Sequence, residues 1–172
     1  MPISPPKVSP PKVGTGLGGG APVVKASWKS ALLIDPDEEN RERVARILRE
    51  AADQVSESEQ ELAIQEATNG TAAWALVERT RPDLIVAEIL LEGMNGLQLL
   101  RRLKERYTDQ APRVMFVTYM SHEVDRYWAL RNGATAFVIK PYEDDFLRDR
   151  SIKLLREDDN MGLDGNWPPS LS

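Results

Sequence analysis

The sequence from position 82 to 88 reads Pro-Asp-Leu-Ile-Val-Ala-Glu, in which four consecutive apolar residues, Leu84–Ala87, end at a carboxylate. The run is too short for a buried helix, and it is continuous rather than alternating. Such runs are typical of strands that are covered on both faces in a parallel sheet. Three further runs share this character, at 32–34, 114–117 and 136–139.

The rest of the central segment alternates between strands and amphipathic helices. The apolar periodicity predicts helices at 38–53, 70–80, 95–106, 122–132 and 143–156. The strands are predicted near 31–35, 61–66, 83–88, 113–118 and 135–139. The second strand is the most polar of the five, which favours a place at the edge of the sheet. This alternation predicts a doubly wound α/β domain with a five-stranded parallel sheet over residues 29–157.

The composition excludes several classes of function. The chain has 172 residues, a net charge of −5, no cysteine and one histidine, His122. These counts exclude a disulfide scaffold, a cysteine nucleophile and a thiolate or multi-histidine metal site. A nucleic-acid binder would usually show a basic stripe. Because the chain also lacks a signal-peptide pattern and an apolar run of roughly 20 residues, we expect a cytoplasmic protein that binds neither membrane nor nucleic acid.

The two ends of the chain differ from its centre in composition. The N-terminal part is rich in proline and glycine, and the pentapeptide Ser-Pro-Pro-Lys-Val occurs twice, at 4–8 and 9–13. Residues 1–34 contain four lysines and no acidic residue, which leaves a net charge of −9 on the remainder. We expect residues 1–28 and 158–172 to be disordered arms. The N-terminal arm is either a linker or leader, or it is a polyproline-type docking motif or a basic arm that contacts an acidic partner.

A polar side chain follows each of the four buried runs. These side chains are Asp35, Glu88, Thr118 and Lys140. Parallel strands end at the same edge of a sheet, and open α/β sheets bind ligands in the crevice outside that edge. We therefore expect two carboxylates, a hydroxyl and an ammonium group to converge there. The alternative is that each residue is polar only because its strand leaves the core at that point.

Several separate stretches, in order along the chain, make the sequence resemble the receiver domains of bacterial two-component response regulators over about residues 29–157. They are Leu32–Asp35, Pro82–Glu88, Gly93–Leu97, Val117–Thr118, Asn132–Ala134 and Phe137–Pro141. The resemblance implies a flavodoxin-like sheet with the strand order 2-1-3-4-5. It also implies a cis peptide bond before Pro141.

The resemblance further implies roles for the site residues. In that family, an aspartate at the end of the third strand accepts a phosphoryl group from a histidine kinase, and an acidic pair after the first strand helps to hold Mg²⁺. A threonine and a lysine bind the phosphoryl oxygens, and an aromatic residue on the fifth strand rotates inward on activation. Four residues lie at matching positions, namely Asp35, Thr118, Lys140 and Phe137. Two positions depart from the pattern, because Glu88 replaces the acceptor aspartate and Pro36 replaces the second acid.

These two departures predict a degenerate receiver, or pseudo-receiver, that is not phosphorylated. Pro36 offers no carboxylate to Mg²⁺, an ion that takes few protein ligands in near-octahedral geometry. The side chain of Glu88 reaches about 1.5 Å further than that of aspartate. Its carboxylate can therefore pair with Lys140 and imitate part of an aspartyl phosphate. We expect no metal, no cofactor and no enzymatic activity.

Two alternatives remain open from the sequence. In the first, Asp37 turns inward and holds Mg²⁺ together with Asp35, so that the chain is a phosphorylatable single-domain receiver of a phosphorelay. In the second, Glu88 is an inert charge that Lys140 neutralises, and the domain is only a scaffold. The second alternative also gives a protein that is not phosphorylated.

The predicted fourth helix carries the residue types that are enriched at binding hot spots. They are Arg126, Tyr127, Trp128 and Arg131, and the patch extends to Tyr142 and Phe146. In the family, the surface of the fourth helix, fifth strand and fifth helix is the usual output or dimer face. We expect a protein partner there, or a second copy of the chain, with the terminal arms as further contributors. The alternative is that Tyr127 and Trp128 only cover the edge of the core.

Overall fold

The computed structural model describes residues 28–57 and 59–156, in which five parallel strands alternate with five helices. The strands are β1 Ser30–Ile34, β2 Ala63–Ala67, β3 Leu84–Ala87, β4 Arg113–Thr118 and β5 Ala136–Ile139. The helices are α1 Glu38–Val55, α2 Gly70–Thr80, α3 Gly96–Tyr107, α4 Glu123–Arg131 and α5 Asp144–Leu155. The strand order β2-β1-β3-β4-β5 confirms the doubly wound fold that was expected.

The observed elements begin and end within two residues of the predicted ones. The largest difference at the start of a strand is in β2, which begins at Ala63 and not at residue 61. Ala63 pairs with Ser30, the first residue of β1, so the register of the neighbouring strand determines where β2 begins. Leu62 precedes the strand but is buried, which explains the apolar character of this position.

The sheet separates two apolar cores. Helices α1 and α5 cover one face, and Leu33 and Val86 point toward them. Helices α2, α3 and α4 cover the other face, toward which Leu32 and Phe116 point. Strands β1, β3 and β4 are therefore buried on both faces, which explains their continuous apolar runs. Within the described residues, no helix is both long and apolar enough to cross a bilayer.

The start of α3 lies against the end of β3. Asn95 caps this helix, because its Oδ1 accepts the N–H of Gln98 at 2.9 Å while Gln98 Oε1 accepts the N–H of Asn95 at 3.0 Å. A Cβ atom on Gly96 would lie 2.9 Å from the carbonyl oxygen of Glu88. Only glycine lets the helix begin this close to the strand end.

Trp28 was assigned to the N-terminal arm, but the structure places it in the α1/α5 core. Its indole Nε1–H donates to the carbonyl oxygen of Leu155 at 2.6 Å, and the residue is 9% exposed. The arm boundary predicted at residue 28 is therefore wrong. The sequence does not predict the packing of Trp28, because a single aromatic residue beside a lysine carries no periodic signal. The other expectations for the two arms concern residues 1–27 and 157–172, which lie outside the described residues.

Candidate functional site

Four side chains meet at the carboxyl edge of the sheet. Asp35 follows β1, Glu88 follows β3, Thr118 ends β4 and Lys140 follows β5. All four are at most 7% exposed. The fold thus brings together, in one buried cluster, the residues that the sequence placed at the ends of the strands.

Lys140 bridges the two carboxylates. Its Nζ lies 2.6 Å from Asp35 Oδ2 and 2.9 Å from Glu88 Oε2. Burial lowers the pKa of Lys140, but the hydrogen bonds and charges of the two carboxylates outweigh it and hold the pKa above the ordinary lysine value. The ammonium group therefore remains charged. The peptide bond that follows it, between Lys140 and Pro141, is cis as expected.

Five donors surround the Glu88 carboxylate. They are the backbone N–H groups of Ile89, Leu90 and Tyr119, the hydroxyl of Thr118 and the ammonium group of Lys140. Oε1 accepts from Ile89 at 2.7 Å, from Leu90 at 3.0 Å and from Thr118. Oε2 accepts from Lys140 and, at the longer distance of 3.4 Å, from Tyr119. Donors from three strand ends thus converge on one anion.

These donors also set the charge state of Glu88. Burial raises the pKa of this carboxyl group, whereas the hydrogen bonds from Thr118, Leu90 and Lys140 lower it. The hydrogen bonds outweigh burial, so the pKa lies below the ordinary glutamate value. Glu88 is therefore a carboxylate anion at neutral pH.

Two residues at the start of α1 hold Asp35, and the sequence alone did not indicate either of them. Asn40 Nδ2 donates to Asp35 Oδ2 at 2.7 Å, and Arg41 Nη1 donates to the Asp35 carbonyl oxygen at 2.7 Å. The backbone N–H of Asp37 donates to Asp35 Oδ1 at 2.9 Å. The only sequence signal for Asn40 is its position in the first turn of the helix that follows Asp35.

Asp37, the candidate second acid, caps α1. Its Oδ1 accepts the N–H of Glu39 at 3.0 Å, and its side chain is exposed. In the crevice itself, every carboxylate oxygen of Asp35 and Glu88 already accepts at least one hydrogen bond. The part of the chain that the structure describes contains no group of three or more acidic or histidine side chains that could hold a metal ion.

Two aromatic residues border the cluster. The ring of Tyr119 lies 4.8 Å from Lys140 Nζ, although 63% of the tyrosine is exposed. Tyr119 therefore covers the ammonium group on the solvent side. Phe137 lies in the core under α4 and is 8% exposed, with its ring edge-on to Phe116 at a centroid distance of 6.3 Å. The aromatic side chain of Phe137 thus points into the core.

The surface of α4 carries several of the residues proposed for partner binding. Trp128 is 51% exposed, and its ring meets Tyr127 edge-on at a centroid distance of 5.6 Å. Arg126 and Tyr127 are half-buried, and the exposed Arg131 places its guanidinium group 5.9 Å from the Tyr127 ring. Further exposed apolar side chains are Val124 on α4, Ile139 on β5 and Phe146 on α5.

Tyr142 does not belong to that surface, which corrects the expectation from the sequence. It is 9% exposed and lies in the α1/α5 core, on the face of the sheet opposite to α4. Its hydroxyl donates to Asn40 Oδ1 at 2.7 Å, and the guanidinium group of Arg43 lies 4.5 Å from its ring. Tyr142 therefore supports the residue that holds Asp35.

Several known proteins are similar in sequence to this chain. The protein PilH of Pseudomonas aeruginosa is 32% identical over 84 residues, which are 49% of this chain and 69% of PilH. The response regulator Rre1 of Synechocystis is 30% identical over 118 residues, which are 69% of this chain and 48% of Rre1. The response regulator PleD of Caulobacter vibrioides is 32% identical over 93 residues, which are only 20% of PleD. The chain therefore spans half or less of two of these relatives.

Solved structures share the fold. The chemotaxis response regulator CheY4 of Vibrio cholerae superposes with a TM-score of 0.62 at 18% identity, over 75% of this chain and all of that chain. A receiver domain of a histidine kinase from Syntrophus aciditrophicus gives a TM-score of 0.60 at 28% identity, over 74% of this chain and 89% of that chain. The family model for the response regulator receiver domain matches residues 31–151. The chain therefore belongs to the family of response regulator receiver domains, which are signalling modules.

Proposed function

We propose that this chain is a pseudo-receiver, which is not phosphorylated and which signals by binding another protein. The observation that carries the proposal is the set of five donors around the Glu88 carboxylate. Thr118 and Lys140 stand where the receiver pattern has the ligands of the phosphoryl oxygens. Because Glu88 already accepts hydrogen bonds from both, its side chain takes the place of a phosphoryl group.

The charges around the crevice also disfavour phosphorylation. Phosphoryl transfer depends on positioning and on neutralising the charge of the transferred group. Here Lys140 is shared between Asp35 and Glu88, and Pro36 contributes no carboxylate for Mg²⁺. The hydrogen bonds to Asp35 and the cap formed by Asp37 do not fit a Mg²⁺ site of the receiver type. The proposed site therefore works without a metal ion.

The buried position of Phe137 supports the proposal that Glu88 holds the domain permanently in an active-like conformation. In the receiver pattern an inward aromatic residue accompanies activation, and Phe137 packs inward against Phe116. Glu88 supplies one negative charge and two oxygens, whereas a phosphoryl group supplies about two charges and three oxygens. The carboxylate therefore reproduces part of the contacts of the phosphorylated state, without a cycle of addition and removal.

The proposed partner surface is the face of α4, β5 and α5. Trp128 is its central anchor, because it is half exposed and belongs to a residue type enriched at hot spots. Phe146 on α5 and Ile139 on β5 add exposed apolar area on the neighbouring elements. We propose that this face binds another protein or a second copy of the chain.

The phosphorylation state is tested by the intact mass of the full chain after incubation with acetyl phosphate and Mg²⁺. We expect no gain of a phosphoryl group. The matched control is the double variant Glu88→Asp with Pro36→Asp, which restores both features and should gain one phosphoryl group. Glu88→Asp alone should gain little, because the Mg²⁺ shell stays incomplete. A stable gain on the unaltered chain would overturn the proposal and favour a receiver that uses Asp35 and Asp37.

A further inference from the structure

A groove lies beside the buried cluster, between the loops that follow β1, β2 and β3. It encloses about 650 Å³, and its apolar lining comes from Pro36, Leu90 and Leu91. Leu90 is 56% exposed, although its backbone N–H is fixed by Glu88. The loop therefore holds an apolar side chain toward solvent at the rim of the site.

Acidic residues lie in the groove and next to it in the sequence. Glu92 is part of its lining, and Asp37 and Glu38 follow Pro36 directly at the start of α1. All three acidic residues are exposed, and none of them forms an ion pair with a basic side chain among residues 28–57 and 59–156. An occupant of this groove should therefore combine apolar side chains with positive charge.

We propose that the two Ser-Pro-Pro-Lys-Val repeats of this chain, residues 4–13, dock in this groove. Residues 1–27 contain three lysines, Lys7, Lys12 and Lys25, and no acidic residue. Each repeat offers two prolines and a valine to the apolar lining and one lysine to Glu92. Because proline fixes φ before binding, the repeat loses less conformational entropy when it docks.

The charges on other surfaces favour this groove as the docking site. The C-terminal ends of α2 and α3 carry a group of basic residues that would repel the lysines of the repeats, namely Arg79, Arg81, Arg102, Lys104 and Arg106. The exposed apolar surface of α4 contains Arg126 and Arg131. The groove combines exposed apolar residues with acidic side chains that pair with no basic side chain in the part of the chain that the structure describes.

The chain is long enough to reach the groove. The described part of the chain begins at Trp28, near the start of β1, and Pro36 lies beyond the opposite end of that strand. The separation along the strand is therefore roughly 25 Å, at about 3.3 Å per residue. Residues 14–27 span up to about 46 Å when extended. The repeats can therefore reach the groove of their own molecule.

Docking of the repeats would cover Leu90 and Leu91, which line the groove. This docking depends on the lining and the charges of the groove, and it does not require that the chain be a pseudo-receiver.

The proposal is tested by paramagnetic relaxation on the full chain. The chain has no cysteine, so Ser9→Cys places a single spin label at the first residue of the second repeat. We expect the label to reduce the amide signals of Asn69, Leu90 and Glu92 to less than half, and to leave those of Val124 and Lys104 almost unchanged. Loss of signal that is spread evenly, or that is centred on Val124, would overturn the proposal.

Charge reversal tests the electrostatic contact. It includes a compensating variant, so that a lost contact can be distinguished from a misfolded groove. Glu92→Lys should restore the amide signals, and adding Lys7→Glu with Lys12→Glu should bring the attenuation back.

The apolar contact is tested by Leu90→Ser, with Val124→Ser as the matched control at an equally exposed position. Attenuation that Glu92→Lys and Leu90→Ser leave unchanged would contradict the proposal. Attenuation seen only between labelled and unlabelled copies in a mixture would contradict docking within one molecule.

Discussion

Lys140 is a buried cation between two buried carboxylates, and each of the three groups depends on the others for compensation of its charge. Burial of an ion pair carries a desolvation cost, so such a cluster is weak evidence for stability by itself. Removal of one partner destabilises the fold, because it leaves the remaining charge buried without a counter-ion. The cluster therefore fixes the conformation of the strand ends more than it adds to the free energy of folding.

Lys140→Met is expected to lower the free energy of unfolding by about 3–5 kcal/mol, because Asp35 and Glu88 then face each other without a cation. The matched control is Lys153→Met. Lys153 lies 3.3 Å from Asp149 in an exposed pair, and its loss should cost no more than about 0.5 kcal/mol. Urea denaturation measures both values. Equal losses would show that the Lys140 cluster is not a compensated unit.

The pKa of Glu88 predicts how stability depends on pH. Its pKa is lower in the folded chain than in the unfolded chain, where glutamate titrates near about 4.3. Its contribution to stability is therefore fully present above that value and is lost as the pH falls through the folded pKa. We expect the difference in unfolding free energy between the unaltered chain and Glu88→Gln to shrink as the pH falls below about 4. Denaturant midpoints over an acid series measure it, and a constant difference would contradict the assignment.

At the scale of elements, Trp28 joins the start of β1 to the end of α5. Trp28→Ala removes a buried indole and its hydrogen bond to Leu155, which should cost about 3–5 kcal/mol. The exposed Trp128 on α4 is the matched control, and Trp128→Ala should lower the free energy of unfolding by less than about 1 kcal/mol.

Because Trp128 is the proposed anchor of the partner surface, its substitution should still weaken partner binding by about 2 kcal/mol or more. Thermal or urea denaturation distinguishes the two tryptophans, and a large loss for Trp128→Ala would make it a core residue.

The strands could be predicted from the sequence because three of them are buried on both faces, which leaves continuous apolar runs such as Leu84–Ala87. The end of each run also indicated the site, since parallel strands end at one edge. The sequence predicts the start of β2 two residues too early, because an edge strand has a weaker apolar pattern and its limits follow the register with Ser30.

At the scale of the whole molecule, the contacts that the sequence did not indicate are those between elements distant along the chain. Tyr142 was placed on the partner surface because its residue type fits a hot spot, but the path of the chain after β5 turns it toward α1. Asn40 and Tyr119 complete the site through contacts with Asp35 and Lys140. The periodicity of apolar residues does not predict against which face of the sheet the side chain of a loop residue packs.

The whole domain is expected to hold one conformation with or without the agents that phosphorylate receivers. The most direct measurement is the amide NMR spectrum of the full chain before and after addition of Mg²⁺ and acetyl phosphate. Because the Glu88 anion already occupies the donors around it, we predict unchanged signals at Glu88, Thr118 and Lys140. Movement of these signals, together with that of Phe137, would show that a metal ion or a phosphoryl group enters the crevice and would contradict the account.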